Sequence, residues 1–302
     1  MKFARVPARF LLATFVAAVS TAVASPPLAP AEASNAIATA CGTPLTAADI
    51  GRIVALSDIS TLPAAASLDR LEEEVARHEA ITAILVRHRD RRGLFSLGLD
   101  AVERTAVMPM QRDPAAFVNR DWGHAVSSDL LRRYLVNLHA EFTGAPVEPH
   151  WAQYFTMSKQ CEARPAEVAM MGYNAHLTVD LAYAVATAAT TRADVPDYYR
   201  IVDSIALQAD TIVEGTRDVY GADLGPLWRF YLLGEGLDRL SSEDVSSEFL
   251  LRAADGGYNT LTLAHGFALK DPRTAATAET TIGMLHQANN KAIGVLSDLG
   301  GL

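Results

Sequence analysis

The stretch from Arg164 to Thr190, RPAEVAMMGYNAHLTVDLAYAVATAAT, constrains the fold more than any other part of the chain. At about 100° per residue, Ala169, Met170, Tyr173, Leu177, Leu181, Ala184 and Ala188 fall on one apolar arc. An arc that wide, with few charges around it, belongs to a helix buried on most sides. Asp180 projects near the middle of the arc and His176 on its edge, so two ionisable groups are expected in the interior. They stand at i and i+4, one turn apart on the same side, and can grip one ion, one water or each other.

The rest of the chain supplies a setting for such a helix. With 302 residues, half of them apolar, it can bury a sizeable core as one large domain or two closely packed ones. From Thr46 onward the pattern predicts helices over 47–58, 67–89, 91–108, 113–142, 149–159, 165–190, 196–219, 223–239, 243–269 and 272–299. Ser67, Asp113, Ser242 and Asp271 suit N-caps, Pro114, Pro196 and Pro272 suit first turns, and Gly93, Gly144 and Gly221 suit ends. With no alternating strand pattern and no internal repeat, the expectation is an all-α, bundle-like domain over 46–302 with the 165–190 helix at its centre.

At the N-terminus, Lys2, Arg5 and Arg9, the apolar run Phe10 to Ala18 and Ala22-Val23-Ala24 before Ser25 have the layout of a secretory signal over residues 1–24. The run is shorter than the ~20 residues of a membrane span, so export to the periplasm or medium is expected, with no span left after cleavage. Cleavage would remove three cations and no anions from a chain of net charge −9, leaving about −12. Duplex nucleic acid is then a poor partner, because such binding needs a basic stripe. The one dense basic run, Arg87 to Arg92, contains Asp90 and reads as a solvated helix end. Residues 25–45 are rich in Pro, Ala and Ser and read as an extended leader. Cys41 in this leader and Cys161 are the only two cysteines, and in an exported protein they most economically form a disulfide, the alternative being two reduced thiols.

The segment GYNAHLTVDL resembles the signature of an uncharacterised bacterial family, a domain of unknown function whose members carry a segment close to G-x-NAHIN-x-DL-P in an all-helical protein. The matching positions are Gly172, Asn174, Ala175, His176, Asp180 and Leu181. Asp90-Arg91-Arg92-Gly93-Leu94-Phe95 resembles the family's DRRG-x-F segment, and Trp151 its aromatic before the signature helix. Thr178 and Ala182 stand where the family usually has Asn and Pro. The resemblance implies an all-helical fold and marks a place in the chain, but it implies no reaction.

For His176 and Asp180 the functional reading is a pair of ligands for a divalent metal such as zinc, since imidazole and carboxylate one turn apart reach a common point. The structural reading is a buried clamp in which His176, Asp180 and Asn174 bond one another. On the 113–142 helix, Asp121 and His124 fall at i, i+3 beside the apolar stripe and are the candidates for a further ligand or a catalytic base. Asn174 and Tyr173 are the candidates for ligand contact. Glu279, His286 and Asn290 give a later helix a polar inner patch, while His78, His88 and His150 have no partner at recognisable spacing. No G-x-S-x-G, H-E-x-x-H, C-x-x-C or G-x-G-x-x-G occurs, which removes the elbow hydrolase, zincin, thioredoxin and dinucleotide readings. Two functions remain: a metal-dependent hydrolase of esters or phosphoesters, or a helical protein that binds a small molecule without turning it over.

Overall fold

Capping residues set where the helices begin. Thr46 and Asp49 form a capping box at the start of α1, Ala47–Ser57. Ser67 accepts from the Arg70 amide at the start of α2, Leu68–His88. Each satisfies an amide that the first turn leaves without an intrahelical partner. The computed structural model of the chain describes residues 40–63, 67–224 and 247–298. The expected export signal, most of the leader, the Ser242 cap and all but the first two residues of the helix expected over 223–239 lie outside the described residues.

Helix α3, Gly93–Val102, runs through a π-helical turn, Glu103–Val107, into α4, Met108–Arg112. Next come α5, Arg120–Thr143, and α6, Pro149–Ser158. Helix α7, Pro165–Asn174, passes through a second π turn, Ala175–Asp180, into α8, Leu181–Thr187. The described chain continues with α9, Val195–Ala206, α10, Ala209–Tyr220, α11, Ser247–Lys270, and α12, Ala275–Asp298. No strand occurs among the described residues, and the fold is all-α as the pattern predicted.

Four expectations are corrected. The 165–190 helix is buried but not regular, because the π turn interrupts its 3.6-residue period. The helix expected from Asp113 starts at Arg120: Asp113 instead accepts from the Ala115 amide in a local turn, and Asn119 caps α5 by accepting from the Trp122 amide. The helix expected over 196–219 breaks at Leu207–Gln208 into α9 and α10. Gly93 opens a helix where an end was expected, and the need for glycine is spatial: a β-carbon there would lie 2.3 Å from the Tyr220 hydroxyl.

The main core joins α2, α3, α5, α6 and α7 around the Phe95 ring. Its ring centroid lies 5.0 Å from Tyr134, 5.1 Å from Trp151 and 5.2 Å from Tyr173. Helix α7 reaches this ring only because position 172 is glycine, where a β-carbon would stand 2.6 Å from the β-carbon of Phe95. The Arg87–Arg92 run is also corrected: Arg92 is fully buried, pairs with Asp90 at 2.6 Å and Glu141 at 3.3 Å, and lies 4.1 Å over the Phe142 ring. A guanidinium enclosed this way needs both carboxylates, because one left unpaired would cost several kcal/mol.

The Cys41–Cys161 disulfide is present, with 5.6 Å between α-carbons and 120 residues between the cysteines. It fastens the segment at Ala40 to the turn before α7, beside backbone bonds from the Arg91 amide to the Ala40 carbonyl and from the Thr43 amide to the His88 carbonyl. For a loop this long the chain-entropy model gives a contribution of about 4–5 kcal/mol. Urea denaturation with and without reductant should therefore show a loss of that order on reduction. Equal midpoints would mean that the anchoring hydrogen bonds hold the segment unaided.

Candidate functional site

Both π turns carry ionisable groups into the interior. In a π turn the bonds run from residue i to i+5, as in the Met108 amide to the Glu103 carbonyl and the Leu181 amide to the His176 carbonyl. Such widened turns are rare and concentrate at functional sites. Here the first presents Glu103, and the second presents His176 and Asp180.

Asp180 is fully buried and takes its partners from α6. Its Oδ1 accepts from His150 Nε2 at 2.9 Å and its Oδ2 from Trp151 Nε1 at 2.8 Å. His176 Nδ1 lies 3.9 Å from Asp180 Oδ2, too far for a hydrogen bond, and is enclosed with no partner. Burial, with smaller repulsion from His78 and His150, lowers the His176 pKa to about 3, so the ring is neutral. Burial raises the Asp180 pKa, while the bonds from His150 and Trp151 oppose that shift. The i, i+4 pair thus shares a neighbourhood without forming the expected hydrogen bond. Asn174 does not join it either: its amide donates to Asn290 Oδ1 at 2.7 Å and the His286 carbonyl at 2.9 Å, and its oxygen accepts from Thr178 at 2.5 Å, tying α7 to α12.

A second buried cluster centres on His78 of α2. Its Nδ1 meets Glu103 Oε2 at 2.6 Å, and its Nε2 meets Ser96 Oγ at 2.8 Å. Burial opposes a charge on His78, but the Glu103 carboxylate outweighs it and raises the pKa; burial also raises that of Glu103. The serine, imidazole and carboxylate are linked in the order of a hydrolytic triad. However, Ser96 is fully buried, is bonded to Thr82 at 2.6 Å and does not line the neighbouring cavity, so no substrate reaches its oxygen.

Between the two π turns lies a cavity of about 140 Å³. Glu103 and Val107 of the first turn and His176 and Leu177 of the second form part of its wall. Aliphatic side chains, including Leu71, Leu99, Leu131, Val202 and Ile212, supply most of the rest, together with the rings of Phe95, Tyr173 and Tyr198. Tyr173 lines it, whereas Asn174 does not. Asp121 and His124 lie elsewhere: Asp121 is exposed, and His124 is bonded through Nδ1 to Gln111 at 2.7 Å, with burial lowering its pKa. Neither borders the cavity, and neither is among the groups bonded to Asp180.

The sequence profile of a family described as "Family of unknown function (DUF5995)" matches residues 71–284, most of the chain, including both π turns and every residue of the cavity wall. The chain belongs to DUF5995. No curated protein and no solved structure matches it. In this DUF5995 chain the expected His176 and Asp180 do lie at the centre of the polar interior, but the groups bonded to Asp180 went unseen in the sequence. His150 and Trp151 are some 30 residues from Asp180, and His78 is 25 residues from Glu103, so no helical spacing relates them. The Pro149 helix start, which places His150 and Trp151 in the first turn of α6, was the one local signal available.

The His176 shift has a measurable consequence. The unfolded ring takes up a proton near its ordinary 6.5, and the folded ring only near 3. The neutral form therefore favours folding above that range, and stability is lost as pH falls from 6.5 toward 3. Relative to a His176→Leu variant, the wild type should lose up to roughly 1.4 kcal/mol per pH unit in that window and nothing above it. Parallel stability curves for the two proteins would show that the ring is not held neutral.

Proposed function

We propose that this protein binds a small, largely apolar molecule in the cavity between the two π turns. The observation that carries the reading is the cavity itself, about 140 Å³ with an aliphatic and aromatic wall interrupted by a few polar groups, among them Glu103 and His176. A packed core leaves few voids larger than a water molecule. A cavity on the order of 150 Å³ with such a lining stays dry and accepts a benzene-sized guest. Its chemistry favours a hydrocarbon body with at most one polar group.

Binding without turnover is supported over hydrolysis by what borders the cavity. Asp121 and His124, the expected ligand or base, are not in its wall, and Ser96, the serine linked to His78 and Glu103, is closed off behind it. Residence outside the reducing cytoplasm belongs to the same reading. The disulfide fits an oxidising compartment, and among the described residues no helix is long and apolar enough to cross a membrane.

Calorimetric titration with benzene tests the proposal. The heat should saturate at one molecule per chain. Replacing Ala206, a partly buried residue of the wall, by Trp should fill the space and weaken binding at least about tenfold while leaving the circular dichroism intact. Absence of saturable binding, or identical binding by Ala206→Trp, would remove the cavity from the function.

A further inference from the structure

We propose that Glu148, His150 and Asp180 bind one divalent transition-metal cation of the zinc type, at a site that opens to solvent beside α6 and is separate from the hydrophobic ligand. The three residues offer one oxygen, one imidazole nitrogen and one oxygen, all within 4.8 Å of one another. His150 Nε2 lies 2.9 Å from Asp180 Oδ1 and 3.5 Å from Glu148 Oε2. Two ligands held at ~2.0–2.2 Å from a common tetrahedral ion are about 3.3–3.6 Å apart, so the 3.5 Å separation already matches a coordination sphere and the 2.9 Å one needs to open by only about 0.4 Å. Mixed imidazole and carboxylate donors suit zinc and its neighbours, and with both thiols in the disulfide no softer ligand competes.

The surroundings have the features of a prepared site. Trp151 Nε1 donates to Asp180 Oδ2 and, being only a donor, fixes the carboxylate while leaving Oδ1 to the ion. Such outer hydrogen bonds orient metal-binding carboxylates. His176 supplies an independent sign of a missing polar group beside the trio: its Nδ1 is enclosed without a partner 3.9 Å from Asp180 Oδ2. Two carboxylates and a neutral imidazole sum to −2, which a divalent cation neutralises. Access follows the gradient of exposure, from Glu148 at the surface through half-buried His150 to enclosed Asp180.

The other imidazole and carboxylate cluster lacks these features. In the group of His78, Asp100 and Glu103, both nitrogens of His78 are engaged by Glu103 and Ser96, Asp100 is paired with Arg104, and all three side chains are buried.

Full-length protein, stripped with chelator and dialysed, would be titrated with zinc chloride alone by calorimetry, with tryptophan emission followed in parallel. The expected result is one equivalent bound per chain and an emission change from Trp151. His150→Ala should weaken binding more than about 100-fold, beyond the roughly 10–100-fold that outer partners cost. Glu148→Gln, at an exposed position that does not endanger the fold, should weaken it at least about tenfold and move the emission change to correspondingly higher zinc, while Asp210→Asn on α10 leaves both unaltered. Failure of the wild type to take up one equivalent, or uptake unaffected by both His150→Ala and Glu148→Gln, would overturn the proposal. Retention of benzene binding by these variants separates this result from the fate of the cavity reading.

Discussion

The contact on which the interior depends is the approach of α7 to α3 at Gly172 and Phe95. A side chain at position 172 would collide with Phe95, so glycine sets the distance between two central helices. The Phe95 ring then meets Tyr134, Trp151, Tyr154, Tyr173 and His176 from α5, α6, α7 and the second π turn. Edge and tilted contacts of this kind fix relative orientation as well as burying area. Both Trp151, which holds Asp180, and His176, which borders the cavity, are positioned by the same ring.

Around that aromatic centre the protein buries an unusual set of charges. Asp90 and Arg92, Arg70 and Glu74, His78 and Glu103, and His150 and Asp180 each form a close pair in or at the edge of the core. Removing one member of such a pair leaves the other uncompensated, which is far more destabilising than replacing both. The pairs therefore restrict which helices may lie against one another: Asp180 requires α6 beside the second π turn, and Glu103 requires the first π turn beside α2. The apolar cavity lies between these two fixed turns, so its shape is a consequence of where the charges found partners.

Much of the organisation was legible in the sequence because it rests on local rules. Thr46 and Ser67 announce helix starts, Gly144 and Gly221 close helices in the left-handed conformation, and the arc from Ala169 to Ala188 marks a buried segment. The pairing of Cys41 with Cys161 followed from there being two cysteines in a chain with an export-like start. The errors have physical causes. Asp113 and Pro114 look like a helix start, but the side chain closes a turn of its own. Arg92 looks like a surface cation within a basic run, yet Asp90 two residues before it and Glu141 on another helix let it be buried.

The sequence by itself determined that the chain is all-helical, that the segment around residues 165–190 is central, and that His176 and Asp180 lie inside it, because hydrophobic periodicity and capping act over a few residues. Only the tertiary structure decided what those two residues do. The π turn changes how they face, and it gives Asp180 to His150 and Trp151 of another helix while leaving His176 at the wall of a cavity. Partners about 30 residues apart carry no period that a linear pattern can reveal. A cavity is the space left after many helices have packed, which no single segment encodes.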